Sequence, residues 1–360
     1  MGFAIVGDWD TAEDRFLEAL QEEMRRRGMV QADQAEARES TVVFHVLEPG
    51  RIIPYRRRSQ SVYVVSVVFL DQWPDNLLHF GYPMLIRSLG NLLLMTDRDP
   101  SACRAAFVTL EQGSYVVEGD GGFDRWIAKV VDRLWPLATS RLVINNRFEP
   151  DLPEFLWEGD AVSKRLCEAG RRLDEWDLLP APFPMEQLLS PRDMRHIHHL
   201  FGIGGLSYGN LSARCPSGGF WMSASGVNKG AMTTVGEHVL LVKDYDETHN
   251  EMVLSVPPHI QPRRVSVDAI EHWMIYRDHP QVGAIVHVHA WMDGVKATQV
   301  NYPCGTIQLA REVAGLVREA PRPERAVIGL KNHGLTITGT DLDDIFARID
   351  GKILRHVPMV

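Results

Sequence analysis

Apolar Phe16, Leu17, Leu20 and Met24 recur at helical spacing. Acids come early in that stretch and Arg25-Arg26-Arg27 close it, as the helix macrodipole prefers, so residues 11–27 predict an amphipathic helix. Residues 41–47 and 61–70 are rich in Val and Phe and predict strands. Residues 77–95 read as helical or mixed, 114–117 as a strand, and 123–137 as a helix through Ile127, Val130, Val131 and Leu134. Residues 145–153 have the polar, Pro-containing chemistry of a linker. A helix over 159–176 places Val162, Leu166 and Leu173 on one face, and 177–190 is Pro-rich and irregular. From 205 onward the elements are short and dense. Strands are expected at 220–223, 238–242, 284–290, 326–330 and 335–338, and helices at 266–278, 306–318 and 341–354.

A chain of 360 residues exceeds one ordinary core, so two domains are expected. The pattern divides it into an N-terminal α/β domain over 1–150, of unassigned role, and a second domain over 155–360. No Gly-rich phosphate loop and no catalytic constellation stand out in the first. His45, Arg51 and Arg56 are its candidate ligand contacts.

A formal charge of −9 disfavours nucleic acid, which usually needs a basic surface. Arg56-Arg57-Arg58 is a compact basic cluster that reads as a solvated face. Cysteines at 103, 167, 215 and 304 make no Cys-x-x-Cys pair, which points to a reducing compartment without thiolate zinc. The N-terminus reaches charge at once, unlike a signal peptide, and no apolar stretch approaches the roughly 20 residues of a membrane span. A cytoplasmic protein is expected.

Within this frame the strand 284–290 carries His287-Val288-His289. Side chains at i and i+2 share a face, so two imidazoles are aimed side by side. His333 follows in Asn332-His333-Gly334. Three protein ligands with one position open is the usual pattern of a catalytic metal site. Asp268, at the start of the helix leading into the His strand, is the candidate acid, base or further ligand. The alternative is that it only caps that helix. Glu271, one turn on, is the second candidate base. His196, His198 and His199 read as surface or interface residues. Residues 205–212 and 223–230 are rich in small residues and hydroxyls and resemble anion cradles.

Taken in order, Gly209-Asn210-Leu211-Ser212-Ala213-Arg214, Ser223-Ala224-Ser225-Gly226, Ile285-Val286-His287-Val288-His289-Ala290 and Asn332-His333-Gly334-Leu335 resemble the class II aldolase/adducin family, over about 155–360. The resemblance implies an α/β/α sandwich with a mostly antiparallel central sheet, assembled as a homo-oligomer, commonly a four-fold ring. It implies that His287, His289 and His333 ligate a divalent metal, usually zinc, with iron(II) or manganese as alternatives. It implies that Asn210, Ser225, Gly226 and Ser266 line the pocket for a substrate's phosphate or equivalent anion. Asp268 would move the proton.

The implied activity is lyase-type: aldol cleavage, decarboxylation or epimerisation of a small hydroxy-keto or sugar-acid substrate, phosphorylated or not, through a metal-stabilised enediolate. Ser266-Val267 stands where the family usually has two serines, and only 43 residues separate His289 from His333. On the resemblance, the segment that delivers a tyrosine acid in the aldolases is not expected within the 27 residues that follow His333, which leaves Tyr302 and Tyr208 as candidates. Two other readings stay open on the same scaffold: a non-haem Fe(II) oxygenase, which three histidines also suit, and an adducin-like binding module.

Overall fold

The computed structural model describes residues 1–34, 36–48, 50–56, 62–109, 113–178, 185–195 and 209–360. His196, His198, His199, Arg57, Arg58, Tyr208 and the 205–208 part of the first expected cradle lie outside the described residues. The chain divides into two compact units. One comprises 1–139 with 184–197 and Met359–Val360; the other comprises 140–183 with 198–358.

The strands of the first unit are β1 (Gly2–Val6), β2 (Val30–Gln31), β3 (Val42–Val46), β4 (Tyr63–Leu70), β5 (Leu92–Asp97), β6 (Arg104–Thr109) and β7 (Gly113–Glu118). They form a seven-stranded sheet in the order β2-β1-β3-β4-β5-β6-β7. The pairings from β2 through β5 are parallel, and β5-β6-β7 is antiparallel. Parallel strands covered on both faces read as near-continuous apolar runs, as in Tyr63-Val-Val-Ser-Val-Val-Phe-Leu70. One face, with Phe3, Ile5, Phe44, Val65 and Val67, packs on apolar residues of the helices Thr11–Arg26 and Phe123–Thr139. Ser66 points the other way, where its Oγ lies 2.7 Å from Ser88 Oγ at the end of the helix Leu77–Ser88.

The strands of the second unit are β8 (Asn145–Glu149), β9 (Asn210–Arg214), β10 (Phe220–Ser223), β11 (Val239–Asp246), β12 (Glu251–Ser255), β13 (Ala284–Val288), β14 (Lys296–Ala297), β15 (Val327–Leu330) and β16 (Gly334–Gly339). They form a nine-stranded sheet ordered β14-β15-β16-β13-β9-β10-β11-β12-β8. The central pairings from β15 to β12 are antiparallel, and the two edge pairings, β14-β15 and β12-β8, are parallel. Helices lie on both faces. His272 and Tyr276 of the helix Ala269–Asp278 bond Ser212, on one face. Gly339, whose Cβ direction opposes that of Thr336 and Thr338, faces Ile345 of the helix Leu342–Ile349.

Four expectations change. Residues 145–149 are not linker but the edge strand β8, paired in parallel with β12. An edge strand with polar Asn145, Asn146 and Arg147 lacks the apolar run that marks a strand in a sequence. The division between units therefore falls at 139/140 rather than near 150, and residues 184–197 and Met359–Val360 group with the first unit. Residues 209–212 are not a cradle loop: from Asn210 they form β9, central in the sheet. The final helix runs only over Leu342–Ile349, capped by Asp341, whose side chain accepts from the Asp344 amide.

Candidate metal centre and acid-base pocket

β13 delivers His287 between β9 and β16, with Asn210 and Thr336 as its register partners. His289 follows just beyond the strand's last residue, on the same face by alternation. His333 sits in the turn between β15 and β16. That turn needs special backbone. Asn332 adopts a left-handed φ of 60°, and a Cβ at Gly334 would collide with the Val288 carbonyl oxygen. Asn and Gly are the residues that tolerate these two demands.

The three rings converge. His287 and His333 are stacked with centroids 4.9 Å apart, and His289 meets His333 edge-on at 4.3 Å. All three are buried. Their candidate ligand atoms lie within 4.8 Å of one another. His287 Nδ1 lies 3.0 Å from the Leu335 carbonyl oxygen, which can only accept, so the proton is at Nδ1 and Nε2 carries a lone pair. That Nε2 lies 3.0 Å from His333 Nε2. Two ring nitrogens so placed need a proton or a cation between them, and the third imidazole makes a cation the better match. Burial holds the pKa of all three below the ordinary histidine value, keeping them in the neutral form that ligates.

Asp268 occupies the N-cap position of the helix Ala269–Asp278 but makes no capping bond. Its Oδ2 instead accepts from Asn210 Nδ2 at 2.6 Å. Its Oδ1 is buried with no hydrogen-bond partner among the described residues. Ser225, Gly226 and Ser266 lie on adjoining backbone: Ser225 N donates to Arg264 O, and Ser266 N donates to Ser223 O. Gly226 has φ of 68°, which favours glycine. Strand register and the Asn210–Asp268 bond thus link these pocket candidates to His287. Tyr302 is partly buried against the apolar core of this unit, two residues before Cys304.

Glu271, the second candidate base, is buried, and its Oε1 accepts from Thr336 Oγ1 at 2.6 Å. Desolvation, with the negative charge of Asp268 second, pushes its pKa up to about 8. Three further neighbours were not legible as site residues. Lys229 is buried; desolvation pulls its ammonium down to about 8, opposed by Asp268. Cys304 Sγ lies 2.9 Å from His333 Nε2. His272, pulled down to about 3 by burial, shares Ser212 Oγ with Tyr276 OH at 2.7 and 2.8 Å. The one signal in the sequence was Lys229 itself, a charge inside a run of small residues. A second His/carboxylate group, Asp246-His249-Glu251, is less buried and engages Arg147, which bonds both carboxylates.

An α/β unit with a buried three-imidazole cluster is the class that fold and site define. Residues 193–299 match the family model for the Class II Aldolase and Adducin N-terminal domain. The match includes His287 and His289; His333 lies beyond it. No curated protein matches the chain.

Among solved structures, YgbL from Klebsiella pneumoniae is 18% identical, covering 52% of this chain and 83% of its own, with a TM-score of 0.35. L-fuculose-1-phosphate aldolase from Thermus thermophilus is 19% identical, covering 52% and 86%, with a TM-score of 0.33. An aldolase II superfamily protein from Pseudomonas syringae is 17% identical, covering 55% and 73%, with a TM-score of 0.36. No described helix is long and apolar enough to cross a membrane.

Proposed function

We propose that the second unit is a metal-dependent lyase-type enzyme acting on a small hydroxy-keto or sugar-acid substrate. The convergence of His287, His289 and His333 carries this reading. Zinc is the first candidate for the resident ion, since three neutral imidazoles with an open position suit it, and iron(II) and manganese are the alternatives. A divalent metal held there supplies Lewis-acid polarisation of a substrate carbonyl.

The chain's own residues do the rest. Asn210 holds one oxygen of Asp268 and leaves the other, buried and unspent, to exchange a proton with substrate. Ser225, Gly226 and Ser266 offer hydroxyl and backbone donors to an anionic substrate group. Lys229 gives that group a buried positive charge, which favours acidic substrates over neutral ones. Burial of the pocket floor excludes water from the site of charge development.

The test is a panel of hydroxy-keto acids and sugar acids, with and without phosphate, assayed for C–C cleavage and CO2 release with zinc-loaded protein. Turnover of at least one acidic member, lost in Asp268→Asn, is the expected result. Zinc-loaded protein inert toward the whole panel, or oxygen uptake by an iron-loaded form, overturns the lyase reading.

A further inference from the structure

The first unit contains a cleft of about 520 Å³ lined by residues that follow its parallel strands. Gly7, Asp8 and Trp9 come directly after β1, Leu47 and Glu48 directly after β3, and Arg98 directly after β5. In the parallel order β2-β1-β3-β4-β5 the chain leaves β1 first to one side and then to the other. The strand order therefore reverses between β1 and β3. Open α/β sheets bind ligands outside the carboxyl ends of their strands, at that reversal. The cleft lies there, and its volume falls in the roughly 300–1,000 Å³ span of small-molecule sites.

A second observation is independent of topology. His45, in β3, lines the cleft and is 8% exposed. Its Nδ1 is buried with no hydrogen-bond partner among the described residues. A buried polar atom left unspent costs free energy unless something meets it. Burial holds the His45 pKa below the usual value, so the ring is neutral and can accept a hydrogen bond.

The charges select the ligand. Four carboxylates (Asp8, Asp10, Glu13 and Glu48) face two guanidiniums, Arg51 and Arg98, leaving two negative charges in excess. Arg98 is already engaged by Asp10, Glu13 and Asp71 at 2.9, 2.7 and 3.0 Å. Acids therefore remain for a cation, and the half-exposed Ile53 and the partly exposed ring of Trp9 offer an apolar wall. No Gly-rich turn lies among the lining residues to offer amides to a phosphate.

We propose that this cleft is a second small-molecule site, taking an aromatic amine whose ammonium meets Glu48 and Asp8 and donates an N–H to His45 Nδ1, and whose flat face lies on Trp9. Its lining residues all belong to the first unit.

Calorimetry on the full chain tests it with three probes: benzylamine, benzoate and AMP. Benzylamine is expected to bind once per chain, at least about tenfold tighter than either anion. Glu48→Gln, at an exposed position, and His45→Gln should each weaken it about tenfold. His287→Ala should leave benzylamine binding unchanged. Absence of benzylamine binding, equal or tighter binding of benzoate or AMP, or binding that survives Glu48→Gln overturns the proposal.

Discussion

Asn210 Nδ2 donates to Asp268 Oδ2 at 2.6 Å, linking a central strand of the sheet to the start of the helix Ala269–Asp278. The bond turns the carboxylate away from capping its own helix and leaves Oδ1 unspent. Asp268→Asn is therefore expected to keep the fold and the bound metal and to lose turnover by roughly 10²–10⁴-fold, the range of a lost general acid or base. Steady-state kinetics with elemental analysis of the same sample check this. Unchanged turnover removes Asp268 from the chemistry.

Glu271 makes a prediction of opposite kind. Its folded pKa is raised from 4.5 to about 8, so its neutral form favours the folded state below pH 4.5 and that contribution is lost as pH rises through 8. Glu271→Gln keeps an acceptor for Thr336 and removes the titration. Relative to the parent, metal-free Glu271→Gln should gain on the order of 4 kcal/mol between pH 5 and pH 8.5. Urea midpoints at the two pH values measure the difference; parallel pH profiles contradict it.

Ser212 joins two buried side chains. Ser212→Ala leaves His272 Nδ1 and Tyr276 OH without this hydroxyl, at a cost of about 1–3 kcal/mol by urea unfolding. His272, with its pKa lowered to about 3, contributes stability that is present above 6.5 and lost as pH falls towards 3. His45, His287, His289 and His333 are lowered in the same direction. Metal-free protein should therefore weaken as pH falls below 6.5. A flat acid limb would show that these rings are charged, or exposed, in the folded state.

The His287-Val288-His289 pair was legible because alternation along a strand is a local rule, and the apolar run before it marked the strand. The amphipathic helices were legible for the same reason, as Phe16, Leu17, Leu20 and Met24 all lie buried. β9 was not: Asn210-Leu211-Ser212-Ala213-Arg214 carries polar residues that a surface strand would expose, yet here Asn210 and Ser212 are buried against another element's polar side chains. The burial of Lys229 and Glu271 escaped notice because distant segments cover them and leave no trace in their sequence neighbours. β8 escaped because an edge strand needs little apolar character. In the first unit His45 and Arg51 stood out only faintly, and strand order brings them to one cleft.

Stoichiometric metal content tests the central claim most directly. Protein purified without chelator should carry one divalent ion per chain, and His287→Ala should lose it while keeping the parent's circular-dichroism spectrum. One equivalent of tightly held metal in a folded His287→Ala variant would contradict the account.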